Sequence, residues 1–212
     1  MIKSSSISKG KNASDKLSLK DRTEISKKRI LDAAVDVFSE HGFHRFRVRE
    51  VALRVGLTEA GVLHHFASKQ VLLQEVLAYR EVSSNQVIAN LEKKRGEVAL
   101  RDLYKVAESI VAEPRRLQLY LLLEVEGLTP NGPTKGYFSS RNELNRNALV
   151  KHMREGQQDG VFREDVNLGV LAREAVAFMD GIGLQWLTEG QTFDLVEAYR
   201  SYFEELIWRI TK

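Results

Sequence analysis

Residues 47–65 hold the side chains whose types and spacing are most informative about chemistry. Gly56 stands between two short apolar-patterned segments, and a helix-turn-helix needs a small residue where its two helix axes meet sharply. Beyond the turn, Glu59, Ala60 and Gly61 form a small, polar outward face. Such a face allows a helix to enter the major groove. The spacing therefore predicts a DNA-reading helix over residues 58–65.

The neighbouring residues predict the scaffold for this helix. Thr58 and Ser68 are suitable N-caps for helices that begin directly after them. Gly42 is a natural end for a helix that starts near Asp21. The apolar side chains of the two short helices would pack on that first helix, through Val51, Ala52, Leu57 and Val62 against Ile30, Ala34 and Phe38.

The rest of the chain is predicted to be helical as well. Periodicity indicates a long helix over 68–94 and further helices at 97–112, 114–127, 136–158, 168–188 and 194–210, with no strand alternation. The expected fold is all-α, with about nine helices in total. We divide the chain into a basic, disordered tail (1–20), a helix-turn-helix domain (21–70) and a helical ligand-binding and dimerisation domain (71–212).

Composition narrows the class of protein. The 212 residues contain no cysteine, which excludes disulfides and thiolate sites. No apolar run reaches the roughly 20 residues of a membrane span, and no secretory signal is present, so a cytoplasmic protein is expected. The net charge is +3, but residues 1–30 carry nine basic against three acidic side chains. A basic front on a mildly acidic remainder fits a polyanion-binding head, although a solubilising tail would look the same.

Three spaced segments together resemble the N-terminal domain of the TetR (tetracycline repressor) family. They are ILDAAVDVFSEHGF, VREVALRVGLTEAGVLHHF and SKQVLL, which cover about 50 consecutive residues. The layout of the remaining helices is also similar to that family. The resemblance implies a two-fold dimer that binds a palindromic operator in double-stranded DNA and is released by a small-molecule inducer.

The resemblance also implies which residues contact DNA. Glu59, Ala60 and Gly61 would lie nearest the bases, Arg49 would contact a base or phosphate, and His65 and Lys69 would contact phosphates. Leu63 replaces a usual phosphate-binding tyrosine, Arg47 replaces a threonine-type residue, and His64-His65 gives an "LHHF" variant of the motif. We expect Arg47 to substitute for the missing tyrosine contact. The complete predicted DNA face is Arg47, Val48, Arg49, Thr58, Glu59, Ala60, Gly61, Leu63, His64, His65 and Lys69.

The helical body is predicted to hold a ligand pocket and a dimer seam. Pocket residues are expected among Tyr104, Leu119, Tyr120, Leu123, Tyr137, Phe138 and Phe178. Gly181 and Gly183 weaken an apolar helix, which is tolerable where another backbone must come close, as in a dimer. The competing explanation is a gap that opens onto a ligand pocket. We favour the dimer, whose seam would comprise Asp180, Gly181, Leu184, Trp186, Leu195, Tyr199, Tyr202, Phe203 and Leu206. Glu124 and Glu126 either face a ligand or are ordinary acids near a helix end, and we favour the latter.

Several alternatives remain at this point. His64 and His65 are adjacent and cannot easily share one metal ion, so no metal site and no cofactor is expected. No nucleophile–base pattern or phosphate loop suggests an enzyme. An architectural, ligand-independent DNA-binding protein would explain the head but not a body of about 140 residues, more than dimerisation needs. A ligand-responsive homodimeric repressor is the predicted function.

Overall fold

A computed structural model describes residues 19–212, apart from the side chains of Leu19, residues 82–86 and Ile88. The predicted basic tail lies outside the described residues up to residue 18, and its last two residues begin the first helix. Ten α-helices make up this part of the chain, without a β-strand. None of them is long and apolar enough to cross a membrane.

The first four helices build the head. They are α1 (Leu19–Arg45), α2 (Val48–Val55), α3 (Glu59–His65) and α4 (Lys69–Glu92). Gly56 adopts the left-handed conformation (φ 71°, ψ 31°) that ends α2, and Thr58 and Ser68 cap α3 and α4 with their side chains, as the sequence predicts. Ile30, Phe38 and Val62 are fully buried in the head core.

Six helices form the body, which are α5 (Gly96–Arg101), α6 (Tyr104–Ala112), α7 (Pro114–Gly127), α8 (Tyr137–Gln158), α9 (Leu168–Thr188) and α10 (Leu195–Ile210). The single helix predicted over 97–112 is two helices, because the chain turns at Asp102 and Leu103. This turn brings Leu100, Leu103 and Ala107 into one core with α8, α9 and α10.

The head core continues into the body without a break. Leu119 and Leu123 of α7, together with Phe138 of α8, belong to the same buried cluster as Phe38 and Leu73. Apolar surface packed this closely resists sliding, because each displaced side chain would leave a void. The head is therefore seated on α7 rather than attached by α4 alone.

A carboxylate completes this seat at a break in α1. Gly42 (φ 66°, ψ −178°) interrupts the helix, which frees the amides that follow from intrahelical bonding. Glu126 of α7 accepts hydrogen bonds from the backbone N–H of Phe43 (2.6 Å) and of His44 (3.2 Å). Its carboxyl group lies where a side chain at position 42 would stand. Glu126 is thus the cap of the last turn of α1.

We expect Glu126→Gln to weaken the attachment of the head to the body. The amide has one acceptor oxygen and no charge, so it replaces neither bond fully, and the free energy of unfolding should fall by about 1–2 kcal/mol. Urea denaturation followed by circular dichroism measures the change. Glu108→Gln, at an exposed site on α6, is the control. Equal stability of the two variants would contradict this role for Glu126.

Candidate DNA-binding face and ligand cavity

The residues predicted to face DNA gather around α3 and the start of α2. Arg47, Arg49, Glu59, Ala60 and His64 are exposed, and Leu63 keeps 37% of its surface exposed. Thr58 uses its hydroxyl to cap α3, accepting the N–H of Gly61 at 3.0 Å. Val48 is buried in the head core, so it supports the surface and does not lie on it. The other predicted residues are exposed or partly exposed around α3 and at the starts of α2 and α4.

The two arginines at the start of α2 are available for a polyanion. Within the part of the chain that the structure describes, neither Arg47 nor Arg49 lies within 4.0 Å of a carboxylate. Arg54, one turn further along, is instead held by Glu40 of α1 through Nη1–Oε1 (3.2 Å) and a second, shorter bond. Arg29 donates to the carbonyl of Val55 (3.1 Å) and fixes the end of α2 on α1. In the head, Arg29 and Arg54 therefore hold helices together, whereas Arg47 and Arg49 have no ion-pair partner among the described residues.

Lys69 at the N-terminus of α4 has a less open position. Its ammonium lies 4.2 Å from the centroid of the Phe43 ring, which provides a cation–π contact. Burial lowers the pKa of Lys69, the charge of Glu126 opposes that shift, and Arg47 adds to it. Lys69 is therefore a partly buried cation at the N-terminus of α4, and the charges of Glu126 and Arg47 both act on it.

A cavity of about 150 Å³ lies in the body, between α4, α6, α7, α8 and α9. Its apolar walls include Leu91, Ile110, Leu117, Leu149 and Met179. The polar groups of the wall come from four helices: Glu92 of α4, Ser109 of α6, Arg116 and Tyr120 of α7, and Arg141, Asn145 and His152 of α8. An apolar chamber with a few convergent polar groups is the usual form of a small-molecule site.

Of the seven side chains predicted for a pocket, only Tyr120 lines this cavity. Leu119, Leu123 and Phe138 are core between head and body. Tyr137 donates to Glu81 (2.5 Å), Tyr104 lies under the guanidinium of Arg200 (4.0 Å), and Phe178 stacks on Tyr202 (3.9 Å). Aromatic residues drew the prediction, but in this fold they fill space or stack on each other.

Arg116 was not predicted, although the sequence carried a signal for it. Positions 116, 119, 120 and 123 follow the spacing of one helix face, and the other three residues are apolar or aromatic and buried. An arginine on that stripe must be buried as well, and 7% of Arg116 remains exposed. Its Nη2 donates to the hydroxyl (2.8 Å) and the carbonyl (3.3 Å) of Ser109.

The proposed dimer seam divides into buried and exposed residues. Five of its side chains lie in the chain's own core and cannot reach a partner, namely Trp186, Leu195, Tyr199, Phe203 and Leu206. Gly183 packs against Leu117 of α7, which explains this glycine within the protomer. Gly181, by contrast, has open space where a side chain would stand, and Leu184 is 49% exposed. The seam is therefore revised to the outer face of α9 and α10.

The comparisons with known proteins agree with this geometry. Residues 30–76 match the model of the family described as bacterial regulatory proteins, tetR family. Residues 30–76 are a tetR-family N-terminal domain.

Several known proteins resemble this chain over most of its length. The HTH-type transcriptional repressor KstR2 of Mycobacterium tuberculosis is 23% identical, with 86% of this chain and 92% of that protein aligned. The structure of FadR from Bacillus subtilis in complex with stearoyl-CoA superposes with a TM-score of 0.72 at 20% identity, covering 85% of this chain and 97% of FadR. A TetR transcription regulator from Haloarcula marismortui gives 0.76 at 20% identity, over 89% of this chain and all of that one (100%). At these identities the two structures establish the fold.

Arg47→Ala should reduce DNA affinity and flatten its salt dependence. Loss of one phosphate contact lowers the slope of log Kd against log salt by about 1. Fluorescence anisotropy on a duplex obtained by random-site selection measures both quantities. Arg54→Ala is the matched control, because that arginine is already held by Glu40. An unchanged slope for Arg47→Ala would remove Arg47 from the phosphate contacts.

The stability of the body should depend on pH through Asp180. Burial, with the nearby charge of Glu124, raises the pKa of Asp180 from 3.8 to about 6, and Arg141 opposes the rise. The folded state therefore binds this proton more tightly than the unfolded chain, and its stabilising effect is complete below pH 3.8 and lost as pH rises through about 6.

Asp180→Asn should accordingly raise the melting temperature at pH 7.5 by a few degrees, about what a modest change in stability produces, and leave it unchanged near pH 3.5. Differential scanning calorimetry across this range follows the effect. Asp165→Asn is the contrast, since Arg163 lowers the pKa of that exposed carboxyl and its loss should not stabilise the protein at neutral pH. A pH-independent difference for Asp180→Asn would refute the assignment.

Proposed function

We propose that this protein is a homodimeric transcriptional repressor that binds a palindromic operator and is released by a small molecule. The observation that carries the proposal is the exposed face of α3 on a tetR-family N-terminal domain, with Arg47 and Arg49 beside it, which have no ion-pair partner among the described residues. Arginines without protein partners bind phosphates or guanine edges at little cost, because no ion pair must first be broken. Such a regulator would work in the cytoplasm, because its operator DNA is there.

Dimerisation is supported by the outer face of α9 and α10. Val170, Ala177, Gly181 and Leu184 recur along one exposed side of α9, and Trp208 of α10 is 75% exposed. Apolar side chains in this arrangement are typical of a helix–helix interface, and Gly181 would let a partner helix approach closely. Two copies joined there would form a four-helix bundle and present two α3 helices to successive major grooves, about 34 Å apart.

Ligand control is supported by two helices that reach both the cavity and the head. In α4, Lys69 is at the DNA-facing end and Leu91 lines the cavity. In α7, Arg116 and Tyr120 line the cavity, and Glu126 holds the amides of α1 two turns further on. A ligand that binds one arrangement of α4 and α7 better than another would shift the spacing of the DNA-facing helices.

The relatives support the same reading. One is named a transcriptional repressor, and another was solved with stearoyl-CoA bound. The cavity favours a ligand-responsive regulator over an architectural DNA-binding protein, which has no need of one.

Random-site selection with the purified full-length protein tests the proposal. We expect enrichment of a palindrome whose half-sites lie one helical turn apart, with an affinity that falls steeply with salt. Recovery of no specific sequence would overturn the regulator, and a single half-site would overturn the dimer.

Leu184→Arg should separate the dimer. The substitution buries one charge from each subunit in an apolar, two-fold seam without a partner. The Kd of the dimer should therefore rise at least about a hundredfold. Light scattering after size exclusion gives the oligomeric state, and gel shift gives operator affinity, which should fall with it. Leu144→Arg on α8, also strongly exposed, is the matched control. A dimeric Leu184→Arg protein would exclude this face as the seam.

A further inference from the structure

The charges of the cavity indicate what kind of molecule it takes. Arg116 is buried, yet no carboxylate lies within 4.0 Å of its guanidinium among the residues that the structure describes. Its bonds to Ser109 use Nη2 alone. A guanidinium offers five N–H donors, so most of its donor capacity remains unused. A buried cation without an opposite charge is costly, and proteins keep such groups where a ligand supplies that charge.

The surroundings of Arg116 act on its charge mainly through burial. Burial lowers the pKa of Arg116, and the positive charges of Arg80 and Arg141 act in the same direction, against Tyr120 and Glu113. Arginine nevertheless remains protonated in proteins. The charges around Arg116 therefore act in both directions, and none of them forms a direct ion pair with it among the described residues.

Arg141 is a second, weaker cation in the same wall. Its guanidinium lies 4.8 Å from the centroid of the Tyr120 ring, and it too forms no ion pair within 4.0 Å in the described residues. The carboxyl of Asp180 is close enough to feel its charge. Arg141 already interacts with Tyr120 and Asp180, so Arg116 is the principal group for binding an anion.

The other walls exclude a molecule that is polar throughout. Leu91, Ile110, Leu117, Leu149 and Met179 present hydrocarbon and a thioether, and none can bind a second charge. A cavity of about 150 Å³ accommodates a benzene-sized apolar group. An apolar group of about six carbons with a carboxyl group of three atoms at Arg116 gives a ligand of about nine or ten non-hydrogen atoms.

We propose that the cavity binds a small amphiphilic carboxylate, with its carboxyl group paired to Arg116 and its hydrocarbon part against the leucines of α4, α7 and α8. This inference rests on the proposed function in treating the bound molecule as the inducer. The carboxylate accepts N–H bonds from Nε and Nη1, the donors that Ser109 leaves free, and hydrogen bonds between two charged groups are the strong ones. Because Arg116 and Glu126 lie on the same helix, the bound anion acts directly on the helix that seats the head.

Calorimetric titration of the full-length protein, without DNA, tests the ligand class with three probes of equal chain length. We expect octanoate to bind at least about tenfold more tightly than 1-octanol or octylamine, the difference that a hydrogen bond to a charged group makes. Arg116→Gln should reduce octanoate affinity at least about tenfold and leave octanol unchanged. Arg116→Lys should recover part of the affinity, because an ammonium pairs with one oxygen at a time.

Two further variants keep the test decisive. Ala148→Leu fills the cavity while Arg116 remains, and it should abolish octanoate binding. Arg154→Gln, an exposed arginine on α8, should leave octanoate binding unchanged. Thermal melting shows whether each variant is folded, and Arg116→Gln should melt no lower than the parent, since it removes an unpaired buried charge.

The outcomes separate this inference from the proposed function. Equal binding of octanoate and octanol, retention of octanoate affinity in folded Arg116→Gln, or no binding of any probe would overturn the carboxylate site. Arg116-dependent octanoate binding in a protein that selects no DNA sequence would support the site and overturn the regulator. Release of the selected duplex by octanoate, lost in Arg116→Gln, would support both.

Discussion

The two hydrogen bonds from the amides of Phe43 and His44 to Glu126 are the interaction on which the arrangement of head and body depends. Gly42 breaks α1, and a broken helix exposes N–H groups that must find an acceptor. The acceptor comes from the far end of α7 rather than from the head itself. The last turn of the supporting helix is therefore capped by α7.

Other contacts between the head and the body also involve α7. Ser39 donates to the carbonyl of Arg115 (3.0 Å), and Arg115 pairs with Asp36 (2.7 Å). Both contacts join α1 to α7. With the shared apolar cluster beneath them, they make α7 a rigid connection between the cavity wall and the head.

Local signals explain what could be predicted from the sequence. Gly56, Thr58 and Ser68 act within a few residues of themselves, so the turn and the caps of α3 and α4 followed from the sequence. The split at Asp102 could not be anticipated, because α5 and α6 share one continuous helical periodicity. Amphipathic spacing says which face of a helix is buried, but not by what. For that reason Tyr199 and Phe203 were placed on a partner when they lie in the chain's own core, and Glu126 was taken for an ordinary terminal acid.

The position of Lys69 over the ring of Phe43 has an electrostatic consequence. Its ammonium lies near enough to Glu126 for that carboxylate to favour its charged form. Glu126 and any anion bound at that surface would therefore attract the same cation. A displacement of α7 that withdraws Glu126 changes the potential at the edge of the DNA-facing surface even if α3 does not move. The affinity of the head for a polyanion is thus set partly by a charge that belongs to the body.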